Sequence, residues 1–277
     1  MVRDGLPERG NLPQYENLSK AVDKMPFDLQ KANMGKRISA WLFDSILLAV
    51  LAVCFGLLLS SLLGYDGYTA RLDEIYTKYE TENNITFSIT QAEYDALSPD
   101  ARIRYDAAAQ ALSTDVEAAY NLNMIIQLTL IILTMGILLA FSVLELLVPL
   151  LLKNGQTLGK KIFGIAVMKN TGVRVNAVSL FIRTVLGKFT IETMIPVLML
   201  LMMLWGTIGV LGPGVIGAIG LVQLILIFTS EARCPIHDRL ANTVTVDMHS
   251  QLIFDSEEAL IEFKKLRHAE AASKKVY

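Results

Sequence analysis

The hydrophobic positions of this chain fall into four long runs, and the polar stretches between them differ sharply in charge. The first run lies within 34–63: from Ile38 onward Asp44 is its only charge, and Arg37 stands at its entrance. A membrane-crossing helix needs about 20 apolar residues, so this run predicts a first span. A second is expected over 124–152, interrupted only by Gln127, Glu145 and Pro149. Residues 191–229 carry Glu192 as their sole charge. As one helix they would measure roughly 58 Å at about 1.5 Å per residue, about twice a bilayer core. Gly212-Pro213-Gly214 is therefore expected to fold 191–230 into a hairpin of the third and fourth spans.

Charge orients these spans. Residues 64–123 hold 11 acids, from Asp66 to Glu117, against Arg71, Lys78, Arg102 and Arg104, the balance of an extracytoplasmic insert. Within it Thr69 to Glu82 and Pro99 to Tyr120 read as helices, and Thr90 with Glu93 as a capping box. Residues 153–190 carry Lys153, Lys160, Lys161, Lys169, Arg174, Arg183 and Lys188 and no acid, which makes this basic loop cytoplasmic by the positive-inside rule. The expected fold class is thus all-α and polytopic, with four transmembrane helices and both termini inside. Alternation over Ile165 to Met168 and Val173 to Val175, around Asn170-Thr171-Gly172, adds a small cytoplasmic β-hairpin, with Thr243 to Val246 as a further short strand. Residues 1–33 read as a flexible cytoplasmic leader with a short surface helix around Ser19 to Gln30. In the C-terminal segment 231–277, Asp255 to Lys275 reads as a charged helix capped by Asp255 and Glu258, whose Leu260, Phe263 and Leu266 suit a membrane surface.

Composition agrees: 53% of residues are hydrophobic and 19% charged, with a formal net charge of −2. That balance gives no attraction to nucleic acid. Gly155-Gln156-Thr157-Leu158-Gly159-Lys160-Lys161 fails as a phosphate loop: its glycine spacing is one residue short, and no Ser or Thr follows the lysine. Cys234 and His237 have a metal-like spacing, but two cysteines and three histidines do not assemble a structural zinc site. No catalytic motif, cofactor or metal is expected, and the reading is not an enzyme.

The residues that carry chemistry are Arg37 and Asp44, seven apart and so on one helix face, Glu145 near the end of the second span, and Asp238 and Arg239 after the fourth. The turn Gly155, Gln156, Thr157, Gly159 and Lys160 joins them. Together, Arg37, Asp44, the GQTLGKK turn with Gly164-Ile165-Ala166-Val167, and His237-Asp238-Arg239-Leu240-Ala241 resemble the RDD family of small prokaryotic membrane proteins, over roughly Asn33 to Asp247 apart from the long insert. Asn242 stands where the family's pattern suggests glycine. The resemblance implies a helical bundle in the cell (cytoplasmic) membrane with a transport role, coupled to a monovalent cation or a proton. In that reading Asp44 and Glu145 face a shared polar cavity closed from below by Asp238 and Arg239. Four helices make a thin pathway, so a homo-oligomer of at least two copies, or a partner membrane protein, is expected beside the lipid bilayer. The alternative is a non-transporting scaffold or accessory subunit, its charges a structural network and its acidic insert docking a partner. The Asp238 carboxylate is expected to accept charge-assisted hydrogen bonds from Arg37 or from the Lys160–Lys161 turn.

Overall fold

The structure, a computed structural model, describes residues 29–152, 155–230 and 233–274, with side chains as far as Lys265. Most of the leader, including nearly all of the helix expected around Ser19 to Gln30, lies outside the described residues, as do Lys153 and the side chain of Leu266. Among the described residues four helices are long and apolar enough to cross a membrane: Met34–Leu62, Val116–Leu151, Ala177–Leu204 and Leu211–Thr229. The protein is a mostly helical, polytopic membrane protein with a small β element.

Three of these helices differ from the sequence reading, the second in beginning at Val116, ahead of the expected 124. The third begins at Ala177, not Ile191, because Arg183 and Lys188 interrupt the apolar pattern and yet are carried inside the helix by partners described below. The break between the third and fourth helices comes at Trp205–Val210, ahead of Gly212-Pro213-Gly214. Gly206 and Gly209 take left-handed φ angles of 70° and 46° there, conformations that glycine adopts without a Cβ penalty. Pro213 instead lies in the first turn of the fourth helix, where a missing N–H costs nothing.

The chain divides into two compact units, one comprising residues up to Ser45 together with Leu144 onward, the other Ile46–Val143. In the second unit the helices Tyr65–Asn83, Gln91–Asp95 and Pro99–Thr114 occupy the acidic insert. Thr90 and Glu93 form the expected capping box, and Ser98 caps the helix opened by Pro99. The latter stops at Thr114, short of Tyr120, because Asp115 starts a new helix by accepting from the N–H groups of Glu117 and Ala118. Tyr76, Phe87, Tyr105 and Tyr94 meet edge to face in sequence, with ring centroids 5.2 to 5.7 Å apart. Gly136 lies against the backbone of the first span: a Cβ on it would sit 3.3 Å from both the Ala52 oxygen and the Gly56 nitrogen.

In the first unit, β1 (Ile165–Lys169) pairs antiparallel with β2 (Thr243–Asp247), Val167 opposite Thr245. The turn at Asn170–Gly172 is present: Lys169 N–H donates to the Val173 oxygen, and Met168 bridges Arg174. The further strand expected from 243 is thus the principal partner of β1. Residues 29–33 also join this layer, with Lys31 bridging Val246. Alternation explains the core. Val244 and Val246 point into an apolar cluster with Ala166, Met168 and Cys234, while Thr243 and Thr245 turn their hydroxyls to Asp238 on the opposite face. At the C-terminus the helix Glu257–Lys274 is capped by Ser256, which accepts from the Ala259 N–H, and Asp255 pairs with Arg174 at 2.7 Å instead of capping.

The close approach at Gly136 predicts that Gly136→Val destabilises the protein by about 1–3 kcal/mol through overpacking. The check is thermal unfolding in detergent, where a midpoint equal to wild type would contradict it.

Candidate functional site

The first unit gathers the start of the first span, the end of the second, the start of the third and the segment after the fourth. Each contributes charged groups. The end of the second span (Ser142–Leu147) and the start of the third (Ile182–Met194) are π-helical, a rare form concentrated at functional sites. The effect on geometry is direct. Five residues separate Arg183 from Lys188, about 140° apart on an α-helix, whereas the wider i to i+5 repeat brings such positions toward one face. Arg183, Thr184, Gly187 and Phe189 are all buried along it.

Arg183 Nε donates to Asp238 Oδ1 at 2.7 Å, and both residues are almost inaccessible, 2% and 0% exposed. The Asp238 carboxylate also accepts from the Thr243 hydroxyl at 3.0 Å and the Thr245 hydroxyl at 3.2 Å. Burial alone would raise the Asp238 pKa, but the Arg183 guanidinium, then His237, hold it well below the usual carboxylate range. The expected partner for Asp238, Arg37 or the Lys160–Lys161 turn, is therefore replaced by Arg183. Arg37 Nη2 instead donates to the Arg233 carbonyl at 2.9 Å, while its Nη1 has no hydrogen-bond partner. Arg239 is exposed beside the buried Asp238.

Asp44 anchors the motif turn. Its Oδ2 accepts from the Thr157 hydroxyl and its Oδ1 from the Gly159 N–H at 2.7 Å. Thr157 in turn caps the short helix Leu158–Ile162 by accepting from the Lys160 N–H. Gly159 has no room for a side chain: a Cβ would lie 2.5 Å from the Ala40 oxygen and 2.9 Å from Asp44 Oδ1. Gly155, at φ 61°, is equally confined by Val175 and Val167, and Gln156 donates to the Ile165 carbonyl at 2.8 Å. The turn is thus clamped between the first span and β1, and it delivers Lys160 to the interior.

Glu145 and Lys160 occupy the centre, 6% and 8% exposed. Glu145 Oε1 pairs with Lys188 Nζ at 2.6 Å, and its backbone oxygen accepts from Thr184. Its Oε2 and the Lys160 Nζ have no hydrogen-bond partner. Burial, then the Arg183 and Lys188 cations, lower the Lys160 ammonium from its ordinary range to about 7, against the opposing pull of Glu145 and Asp44.

A second, half-buried contact stands beside this network. Glu192 accepts from the His237 ring Nδ1 at 2.8 Å and from its backbone N–H at 3.1 Å, and Gln223 of the fourth span donates to the same carboxylate at 3.3 Å. Gly187 admits His237, since a Cβ there would fall 2.6 Å from the histidine Cβ. Arg183, Lys188 and Glu192 were the members that sequence reasoning did not assign to the site. Their available signal was spacing: three charges at 183, 188 and 192 interrupting an otherwise apolar helix.

Among the described residues, no group of three or more His, Cys, Asp or Glu side chains is placed to hold a metal ion, and neither Cys54 nor Cys234 is in a disulfide. Four apolar helices joined at one end by a buried network of paired charges define a polytopic membrane protein with a polar centre built from its span ends. The chain belongs to the RDD family, whose model matches residues 31–242. No curated protein and no solved structure matches it.

Removing the Asp238 charge while leaving Arg183 buried costs about 3–5 kcal/mol, so Asp238→Asn is expected to lower the unfolding midpoint sharply in detergent. Because the folded pKa of Asp238 is depressed, its contribution is full above the unfolded value of about 3.9 and is lost as pH falls below it. Wild type should therefore lose stability on acidification more steeply than Asp238→Asn, and parallel curves below pH 4 would contradict this.

Proposed function

We propose that the protein is a membrane transporter, or a component of a transport system, coupled to the movement of a proton. The observation that carries this reading is the pair of unsatisfied buried groups at the centre of the network, Glu145 Oε2 and Lys160 Nζ. A buried carboxylate oxygen or ammonium left without a partner costs several kcal/mol in a folding network alone. Groups retained at such a cost in a membrane interior are those that meet a proton or a polar solute in the working cycle. Asp44 has the supporting role of fixing the turn that carries Lys160, and Arg183 with Asp238 fixes the segment beneath. In this reading the basic stretch between the second and third helices, with Lys160, Lys161, Lys169 and Arg174, and both termini face the cytoplasm, and the acidic insert between the first and second helices faces outside, as the charge asymmetry favours.

A second reading has one specific observation in its favour: the carboxylate of Asp238 is held by three donors and that of Asp44 by two, which suits a rigid scaffold. The working part would then be the insert, with its own chain of aromatic contacts and its caps.

Both readings meet in one experiment. Proteoliposomes loaded with a pH-sensitive dye are given an imposed sodium or potassium gradient, and proton movement is followed. Glu145→Gln is expected to slow it by about tenfold or more, a barrier change of about 1.4 kcal/mol or larger. Equal rates in Glu145→Gln and wild type would end the transport reading. Deletion of residues 69–119 is expected to leave proton movement in place. Loss of activity on that deletion, with Glu145→Gln active, would favour the scaffold.

A further inference from the structure

Lys160 differs from every other cation of the network. Arg183 donates to Asp238, Lys188 to Glu145 and Arg37 to a backbone oxygen. Lys160 is buried with them and its Nζ donates to none. It is also held there by construction, since the Thr157 and Gly159 contacts to Asp44 fix the helix that bears it. A flexible surface lysine would swing its ammonium into water, whereas this one is committed to the interior by the turn.

The charges around it come from every element packed against the turn. The first span presents Asp44, the second Glu145, the third Arg183 and Lys188, and the segment after the fourth span Asp238. Three of these are acids and two are cations, and each of the two cations already has a carboxylate in direct contact. Protonated, Lys160 is a third cation crowded against Arg183 and Lys188. Neutral, it leaves the two direct pairs intact and gives up both that repulsion and the attraction of Glu145 and Asp44. Either state is compatible with the same fold, which is what a group that exchanges a proton requires.

We propose that the exchangeable proton of this site is carried by the Lys160 amine, and that neither membrane-embedded acid is its carrier. The inference rests on the proton-coupled reading above and names the residue that performs it. In the step, one N–H bond of the Lys160 ammonium breaks, the electron pair stays on Nζ, and the proton passes to water or to a basic group of the transported solute. Uptake is the reverse, so no other reactant is needed. Asp44 and Glu145 act as positioning residues, one holding the turn and the other setting the proton affinity of the amine. The depressed pKa of Lys160, near the operating pH of a cell, agrees with this assignment.

The test uses the full-length protein with 15Nζ-labelled lysine, in nanodiscs of phosphatidylethanolamine and phosphatidylglycerol, followed by solid-state nuclear magnetic resonance. One lysine signal is expected to pass from the ammonium to the amine position with a midpoint near 7, whereas ordinary lysines stay charged to about pH 9. That signal should be absent in Lys160→Arg and Lys160→Gln. In Glu145→Gln, which removes an opposing acid, its midpoint should move to lower pH, a shift that a merely structural lysine would not report. If no lysine titrates between pH 5.5 and 9 in wild type, the proposal is overturned without reference to any variant. A titrating signal that persists in both Lys160 variants overturns it as well. In the dye-loaded proteoliposomes, Lys160→Arg should abolish proton movement, because a guanidinium does not release its proton in this range. A titrating Lys160 in a protein that moves no protons would leave this assignment standing and remove the transport reading. Proton movement that survives Lys160→Arg would do the reverse.

Discussion

A charge taken out of water must find a counter-charge or a set of hydrogen bonds, and in this protein that requirement selects the arrangement of the first unit. Arg183 is the plainest case. Its guanidinium is buried in a helix that otherwise belongs to lipid, and the Asp238 carboxylate that neutralises it comes from a segment 55 residues further on. To present that carboxylate the chain must turn after the fourth span, place the short helix Ile236–Leu240 against the third, and run β2 with its threonines toward Asp238 and its valines toward the opposite core. The sheet, the post-span helix and the π-helical widening can each be read as means of bringing one acid to one base.

The glycines solve the complementary problem of distance. Elements pair only when backbones come close, and three glycines mark such approaches: Gly159 against Ala40 and Gly187 against His237 beside the charged groups and, in the second unit, Gly136 against the first span. At each, the missing side chain is the contact. The GQTLGKK turn combines this with hydrogen bonding, for Gly159 both leaves room for the first span and donates its N–H to Asp44.

Much of this was legible from sequence, for reasons that differ by element. The apolar helices announced themselves because lipid demands long uncharged runs, and the Ser98-Pro99 and Thr90-Glu93 signals marked helix starts because capping is local. Asp44 and Glu145 stood out since an acid among apolar residues is expensive, and Asp238 through the HDRLA motif that carries it. What could not be read was who pairs with whom. Arg183 and Lys188 broke the hydrophobic pattern of the third helix and so hid its first turns, although the same two side chains pair with Asp238 and Glu145 once the helix is in place. The π-helical register that aligns them has no local sequence rule comparable to a cap. The early break at Gly206 and Gly209 was masked by the louder Gly-Pro-Gly that follows it, because a proline in a helix's first turn looks like a breaker on paper and is not one in space.

The order in which the chain is made gives the Asp238 contact one more meaning. Synthesis runs from the N-terminus, and domains take shape as they emerge. Arg183 enters the membrane with the third helix before Asp238 has been translated, so every nascent copy passes through a stage in which this guanidinium lacks its ion-pair partner. A ribosome that stops before the HDRLA segment leaves a chain with its four apolar helices complete and that vacancy permanent. The segment after the fourth span is therefore the one that closes this network: the buried cation is neutralised only once translation has passed Asp238.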